Sequence, residues 1–262
     1  MRSSNFRPYI WLFAAIALGS AVVASAEHSW GGYHWSRTAN PFSIALGDNV
    51  SSAWDSYLLT TSNDWSQSAV LDTAITPGKT TSRSCRPTTG RAEICNYRYG
   101  RNGWLGMATI WASGSHITQG TVKMNDSYFA YAPYNTLAWK NLVMCQEVGH
   151  IFGLDHQDED FYNTPLGTCM DYSSDPTLNQ HPNQHDYDML ETIYAHLEAT
   201  SSPAQRLPQG TPAIDFNNLR EWGQEIRRST DRRASLFERN LGRGQKVFTF
   251  VFWADAEKNT DH

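Results

Sequence analysis

The sequence predicts an α+β fold, in which helices and strands follow one another in blocks. The apolar patterns run in the order helix, strands, long helix, loop and helix, and this order differs from the strict alternation of a doubly wound sheet. The chain has 262 residues, of which 40% are apolar and 13% aromatic, so it can bury a substantial core. We therefore expect one main domain with an appendage.

The first 26 residues have the form of a secretory signal peptide. Arg2 and Arg7 precede an apolar run at 10–23, and the sequence ASA at 24–26 has the small-x-small form that signal peptidase accepts. The apolar run is short for a membrane span, which disfavours the alternative of an uncleaved anchor. We predict that residues 1–26 are removed and that the mature chain is secreted or periplasmic, with no membrane contact.

The first half of the mature chain carries one helix pattern among several strand patterns. Apolar residues at near-helical spacing predict an amphipathic helix over 48–66, with Asp48 or Ser51 as the N-cap. Alternation of apolar and polar residues predicts strands at 28–37 and 69–76. Two further strands are predicted at 104–113 and 116–125, separated by a Ser-Gly-Ser turn.

The second half carries two helix patterns before its composition changes. A long helix is predicted over 135–152, ended by Gly153, and another over 182–198. Residues 199–213 are rich in Pro, Ser and Gln, which predicts a linker. The extension at 214–262 has no assigned role, although its last apolar segment alternates like a strand. Its arginines could bind an anionic surface, but nearby acidic residues largely balance them and favour a solvated face.

The four cysteines indicate disulfides, because the predicted signal sends the chain to an oxidising compartment. Two bridges allow three pairings, and the sequence does not strictly choose among them. The local pairing Cys85–Cys95 would close a loop of turn-forming residues and would leave Cys145–Cys169. Neither spacing is that of a zinc knuckle or a thioredoxin-like site. We expect both bridges to be structural, which also disfavours Cys145 as a nucleophile.

The stretch QEVGHIFGLDH carries the candidate site. On a helix, Gln146 and His150 lie four residues apart and point to one face, with Glu147 beside them. Gly153 would end the helix and let His156 return toward the same point. Three such donors leave a fourth position open on a bound zinc ion. The metal would acidify a water molecule, and Glu147 would act as the general base in the attack on a peptide carbonyl.

This stretch resembles the HExxHxxGxxH signature of the metzincin zinc endopeptidases, in particular the matrixin-like and adamalysin-like members. The sequence CMDY at 169–172 resembles the Met-turn of that family, with Met170 as the floor beneath the metal. The resemblance covers about 29–197, so we assign a metallopeptidase domain to 27–198. It implies a twisted mixed sheet, a long active-site helix and a terminal helix. It also implies that the two strands joined by the Ser-Gly-Ser turn include the edge strand that pairs with an extended substrate.

Gln146 departs from the signature, which has histidine at the first ligand position. Its amide oxygen reaches as far as an imidazole nitrogen and is also neutral, but it is a poorer donor to zinc, so we expect reduced zinc affinity. His181 and His185, near the terminal helix, are less favoured replacements. Asp155 and Asp158 are expected to bond a ligand imidazole or the loop backbone. Structural or surface roles are expected for three other histidines: His28, His34 and His116.

Two functions of different classes follow. The first is a secreted zinc-dependent endopeptidase acting on a protein or peptide substrate, with Glu147 as the base and Gln146, His150 and His156 on the metal. The second is a non-catalytic relative that uses the cleft to bind a protein or peptide, with weak or absent metal. The presence of the Glu147 carboxylate favours the endopeptidase over the non-catalytic relative. A net charge of −5 of mixed sign gives no reason to expect nucleic acid as a partner, and we expect a monomer.

Overall fold

The structure, a computed structural model, describes residues 28–202, 214–215 and 218–254. The predicted signal peptide and most of the predicted linker lie outside these described residues. Within the described ranges, no helix combines the length and the apolar character needed to cross a membrane.

The helices and strands occur in blocks, as the α+β prediction requires. The first part of the chain contains β1 (His34–Trp35), β2 (Phe42–Asn49), α1 (Asp55–Trp65), β3 (Leu71–Pro77), β4 (Ala92–Tyr97), β5 (Trp104–Ser113), β6 (His116–Asn125) and the short α2 (Asp126–Phe129). The second part contains α3 (Leu137–Ile151), α4 (Gln184–Ile193), β7 (Gln224–Arg228), β8 (Ala234–Gly242) and β9 (Gln245–Trp253).

Nine strands of the described residues form one mixed sheet in the order β3-β2-β4-β6-β5-β9-β8-β7, with β1 paired to β6. Strand β2 is parallel to β3 and β4, and β6 is parallel to β4 and β1. The remaining pairs, β5–β6, β5–β9, β8–β9 and β7–β8, are antiparallel. Helix α3 packs against β5 and β6. This arrangement agrees with the α+β class and the mixed sheet that the sequence predicts.

The predicted helix over 48–66 is wrong in its first part. Residues up to Asn49 belong to β2, and α1 begins only at Asp55, after Trp54, whose side chain makes no capping bond. Because β2 lies between β3 and β4, its backbone groups find partners on both sides. Pairing with distant strands therefore decides the structure of this segment over the local apolar spacing.

Of three other predicted strands, two have the predicted bounds and one is much shorter. The pattern over 28–37 yields only the two residues of β1, and β4, which lies between the first two cysteines, was not predicted. The bounds of β5 and β6 agree with the prediction at 104–113 and 116–125. These two strands form a local hairpin, so their pairing depends on a turn that is visible in the sequence.

The favoured cysteine pairing is confirmed: Cys85 is bridged to Cys95, and Cys145 to Cys169. The first bridge ties β4 to the loop before it. The second ties α3 to the turn that carries Met170. It therefore fixes the position of that turn relative to the helix.

Two tryptophans fix the end of α3. The indole nitrogen of Trp30 donates to the carbonyl of His150 at 3.1 Å, and that of Trp35 donates to the carbonyl of Ile151 at 2.8 Å. The last carbonyls of a helix have no partner within the helix, so bonds from outside satisfy groups that would otherwise be buried and unpaired. This end of α3 is consequently held in place by segments that precede β2 in the chain.

The three C-terminal strands continue the sheet beyond β5. Strand β9 pairs with β5 along its whole length, and Phe248, Phe250 and Phe252 join the same apolar core as α3. The implied free edge is therefore wrong, because β5 has β6 on one side and β9 on the other. The pairing with β9 satisfies the backbone N–H and C=O groups of β5, which could otherwise pair with another chain. It also removes three phenylalanines from water.

Candidate functional site

Helix α3 carries three of the predicted site residues into the protein interior. Gln146, Glu147 and His150 are each 1% exposed or less. Strand β5 runs directly against them at Gly106, where an added Cβ atom would lie 2.7 Å from Oε1 of Glu147. A glycine is required there because any larger residue would collide with the helix.

The chain turns back at Gly153 and brings His156 to the helix. Gly153 has a φ of +98°, and a Cβ at this position would lie 2.3 Å from the carbonyl oxygen of Tyr33, so both conformation and space demand glycine. The rings of His150 and His156 then meet edge to face, with centroids 4.5 Å apart. The structure therefore brings together the residues that the spacing predicted.

The hydrogen bonds of the two imidazoles define their tautomers. Nδ1 of His150 lies 2.9 Å from the carbonyl oxygen of Leu154, and Nδ1 of His156 lies 3.1 Å from Oε1 of Glu159. A carbonyl oxygen only accepts hydrogen bonds, and so does an ionised carboxylate. Burial alone would raise the pKa of Glu159, but its contacts with His156 and Arg227 lower it, so this carboxyl group has lost its proton. Each Nδ1 therefore carries the proton, and each Nε2 keeps its lone pair for a ligand.

Several buried polar atoms at this point lack a hydrogen-bond partner within the described part of the chain. They are Oε1 and Nε2 of Gln146, Oε2 of Glu147 and Nε2 of His156. An unpaired buried polar group costs about 1–3 kcal/mol, so a cluster of them calls for an explanation. Two imidazole nitrogens and an amide oxygen are a donor set that a divalent transition metal accepts. The residues present therefore fit a metal ion, with Glu147 beside it.

Met170 packs against helix α3. It is fully buried, and a Cβ at Gly149 would lie 2.5 Å from its Sδ atom. Its backbone is held on both sides, since its nitrogen is bonded to the hydroxyl of Thr168 and its carbonyl accepts from the nitrogen of Gln157. The methionine thus packs under the helix one residue before His150.

Burial shifts the pKa values of Glu147 and His150. Desolvation raises the pKa of Glu147 well above its usual value, against a weaker opposing hydrogen bond from the backbone of Ala108. Desolvation and the neighbouring His156 lower the pKa of His150 well below its usual value. The site therefore holds a neutral imidazole and a carboxyl group that retains its proton more readily than in water, as a general acid or base requires.

The C-terminal strands cover the site. The ring of Phe250, on β9, stacks on that of His150 with centroids 4.0 Å apart and an interplanar angle of 13°. The ring of Phe252 packs edge-on against Tyr172 at 4.7 Å, and Tyr172 in turn contacts His156. The cover therefore lies directly on the ring of His150 and, through Tyr172, against that of His156.

An ion pair ties the cover to the loop after α3. Arg227, on β7, donates from two nitrogens to the carboxylate of Asp155, at 2.6 and 2.5 Å, and its Nε lies 3.3 Å from Oε1 of Glu159. Burial alone would raise the pKa of Asp155, but the hydrogen bond from Arg227 and the charges of His156 and Arg227 together lower it to about 2. The prediction of a solvated arginine face is wrong for Arg233, which is buried 4.2 Å above the ring of Phe161, and for the half-buried Arg227. It holds for Arg228 and Arg232, which are exposed.

The remaining predicted site residues lie in other environments. The imidazole of His181 contacts Asp64 at 2.7 Å, and that of His185 stacks on His28. These contacts do not support either histidine as the ligand that replaces Gln146. Asp158 bonds the backbone of its own loop, as one of its two predicted roles requires. Sequence reasoning missed Phe250 and Arg227. The alternating pattern around Phe250 predicts a strand, but no local pattern shows which strand it pairs with.

No protein-family model matches the sequence, and no curated protein matches it. Among solved structures, the chain is similar to two of myroilysin, each at 11% identity. One match covers 62% of this chain and 96% of that chain with a TM-score of 0.36; the other covers 66% and 97% with a TM-score of 0.32. TM-scores this low carry no argument about what this chain does.

Proposed function

We propose that the chain is a secreted zinc-dependent endopeptidase whose active site is covered by its own C-terminal strands. The observation that carries the proposal is the buried group on α3, where unpartnered polar atoms of Gln146 and His156 lie beside the carboxyl group of Glu147 and the ring of His150 meets that of His156. Secretion is supported by the predicted signal peptide and by two disulfides, which persist in oxidising compartments.

Each residue has a role in this proposal. Gln146, His150 and His156 would hold the ion, which when bound would lower the pKa of a water molecule and polarise a peptide carbonyl. Glu147 would take the proton of the attacking water and deliver it to the leaving amine, a task that its raised pKa favours. Glu159 and the carbonyl of Leu154 would keep the imidazole nitrogens oriented toward the ion.

The cover makes the intact chain latent. An extended substrate that paired with β5 would compete with β9 for the same backbone groups, and it would have to displace Phe250 from His150. Exposing Phe248, Phe250 and Phe252 alone costs roughly 5–9 kcal/mol, which keeps an open form below about one molecule in a thousand. Activity would therefore require a cut or a partner that moves residues 214–254.

The covered site also favours a second candidate, the non-catalytic relative. In that case, the unpaired atoms around Gln146 would be the remnant of a metal site that the chain no longer uses, and the C-terminal strands would be a permanent part of the core. The two candidates differ in what happens when metal is supplied and the cover is released.

The experiment compares the intact chain with a chain carrying a thrombin recognition sequence between residues 203 and 213. Bound zinc is counted by mass spectrometry, and cleavage of casein is followed before and after the thrombin cut. Glu147→Gln tests the base, and Glu191→Gln, at an exposed position on α4, is the matched control. Gln146→His tests the unusual ligand, and Phe250→Ala tests the cover without a cut.

The peptidase proposal expects one zinc ion at this site and cleavage that rises after the cut. This activity would be lost with a chelator or in Glu147→Gln and kept in Glu191→Gln. Zinc and activity that appear only in Gln146→His would support the non-catalytic candidate. Equal activity before and after the cut would refute latency while leaving the catalytic proposal in place.

A further inference from the structure

A second group of histidines lies away from α3, where three distant segments of the chain meet. The parallel pairing of β1 with β6 sets His34 opposite His116, and their ring centroids are 5.2 Å apart. Glu198, which follows α4, reaches the same point. Its backbone nitrogen donates to the carbonyl of Arg37 at 3.0 Å, and its Oε2 accepts from the backbone nitrogen of Arg37 at 3.2 Å. The carboxylate is therefore held against β1 with Oε1 directed at the histidines.

Three imidazole nitrogens converge on this one carboxylate oxygen. Nε2 of His34 and Nε2 of His116 each lie 2.8 Å from Oε1 of Glu198, and Nε2 of His196 lies 3.5 Å from the same atom. The ligand atoms of His34, His116 and Glu198 all lie within 4.8 Å of one another. The contacts of His34 and His116 have hydrogen-bond length and already fill the roughly two positions at which a carboxylate oxygen accepts, while His196 lies farther away.

The protonation of His34 explains why a cation suits this position. Its Nδ1 lies 2.8 Å from the carbonyl oxygen of Gly32, which can only accept, so Nδ1 carries a proton. A neutral His34 therefore presents a bare Nε2 to the carboxylate of Glu198, and two lone pairs would face each other. The contact needs either a second proton on the ring or a metal ion between the two groups. A histidine bonded through Nδ1–H to a backbone carbonyl, with Nε2 free, is the orientation that metal ligands adopt.

We propose that His34, His116 and Glu198 form a second metal site, which binds a divalent transition ion of the zinc class, with His196 as a fourth ligand. Imidazole nitrogens with one carboxylate oxygen are a common zinc donor set, and four ligands would close the site, as in structural zinc centres. In a tetrahedral site the ligand atoms stand about 3.3 Å apart, so the carboxylate would move back by about half an ångström and the exposed His196 would turn inward.

The site has both an entrance and a structural consequence. His34 is buried, but the side chain of His116 is 29% exposed and that of His196 is 60% exposed, so an ion can enter from solvent. The bound ion would join β1 and β6 to the segment after α4. That segment is also held to Ser36 through Thr200 and Ser202. The inference does not rest on the proposed peptidase activity, because none of its residues belongs to the group on α3.

The test uses the tag-free mature chain, treated with a chelator, equilibrated with zinc chloride and dialysed. Zinc per chain is counted by mass spectrometry for the wild type, His116→Ala, Glu198→Gln and His196→Ala. The matched control is His181→Ala, which removes an exposed histidine that contacts Asp64. Circular dichroism melting of each variant shows that it folds, and the zinc-dependent rise in melting temperature is recorded in the same experiment. The group on α3 is present in all five chains, so its zinc cancels in the comparison.

The proposal expects His116→Ala and Glu198→Gln to hold one zinc ion per chain fewer than the wild type and His181→Ala, and to lose the corresponding rise in melting temperature. His196→Ala should weaken binding by at least about tenfold, the effect that even outer partners of metal ligands have. A crystal of the zinc-loaded wild type should show an anomalous peak between His34 and His116. Equal zinc content in all five chains, or no peak at this position, would overturn the proposal.

Discussion

Glu147 and Glu198 each stand beside histidines, yet their surroundings shift their pKa values in opposite directions. Burial against β5 raises the pKa of Glu147, one of whose oxygens has no partner among the described residues. Burial alone would also raise the pKa of Glu198, but its contacts with His34, Ser36 and His116 together outweigh burial and lower the pKa to about 2. The first carboxyl group is poised to exchange a proton, and the second is fixed as an anion. The same residue type thus has a raised pKa in one site and a lowered pKa in the other.

The two sites also differ in how they are assembled. Gln146, Glu147, His150 and His156 lie within eleven consecutive residues, and an apolar cover closes over them. The ligands of the second site come from three segments and remain open to solvent on one side. Four changes, ordered from the largest expected effect to the smallest, test this contrast between a covered site and an open one.

Phe250→Ala should have the largest effect, because it removes a fully buried ring from the face of His150. We expect the free energy of unfolding to fall by about 4 kcal/mol, as is usual for a buried phenylalanine. Urea denaturation followed by fluorescence measures it. Tyr162→Ala, at a side chain that is 74% exposed, should change stability by less than about 0.5 kcal/mol. Equal effects in the two variants would show that β9 does not pack on the covered site.

Replacement of Cys145 and Cys169 by alanine should have the next largest effect. The bridge closes a segment with a sequence separation of 24 residues and holds the Met170 turn against α3, so its loss should lower the free energy of unfolding by about 3 kcal/mol. Zinc bound at the covered site should fall, whereas zinc at the open site should be retained. Loss of both ions together would contradict the separation of the two sites.

Glu198→Gln should destabilise the metal-free protein by about 2 kcal/mol at pH 7. A carboxyl group with a lowered pKa stabilises the folded state above the ordinary pKa of glutamate, and this contribution disappears as the pH falls toward about 2. The difference between variant and wild type should therefore shrink across that acidic interval. A stability difference that stays constant from pH 7 to pH 3, measured after chelation, would be inconsistent with a charged Glu198 at the centre of the cluster.

Glu147→Gln should have the smallest effect, with the opposite sign. Because burial raises the pKa of Glu147, the folded state retains a proton that the unfolded chain has lost, and stability falls as pH rises through that interval. Glutamine avoids this cost, so the metal-free variant should be more stable than the wild type by about 1 kcal/mol at pH 7 and equal to it near pH 4. Lower stability of the variant at pH 7 would mean that Glu147 is paired in the folded protein.

Some features of the fold and the covered site can be predicted from sequence because they depend on neighbours along the chain. The four-residue spacing of Gln146 and His150 on a helix, the reversal at Gly153 and the β5–β6 hairpin all follow from local backbone geometry. The helix start at Asp48 was wrong for the converse reason. That segment pairs with strands β3 and β4, which lie far along the sequence, and such pairing overrides local spacing.

The sequence by itself determined the α+β class, the group of residues around Glu147 and the choice of cysteines available for bridges. Only the tertiary structure decided that β9 pairs with β5, that Phe250 closes the site, and that His34 and His116 meet at Glu198. The reason is physical. Periodicity and turn chemistry act over a few residues and leave a pattern in the chain. The pairing of distant segments is instead selected by the burial of apolar surface and the satisfaction of backbone groups over the whole fold.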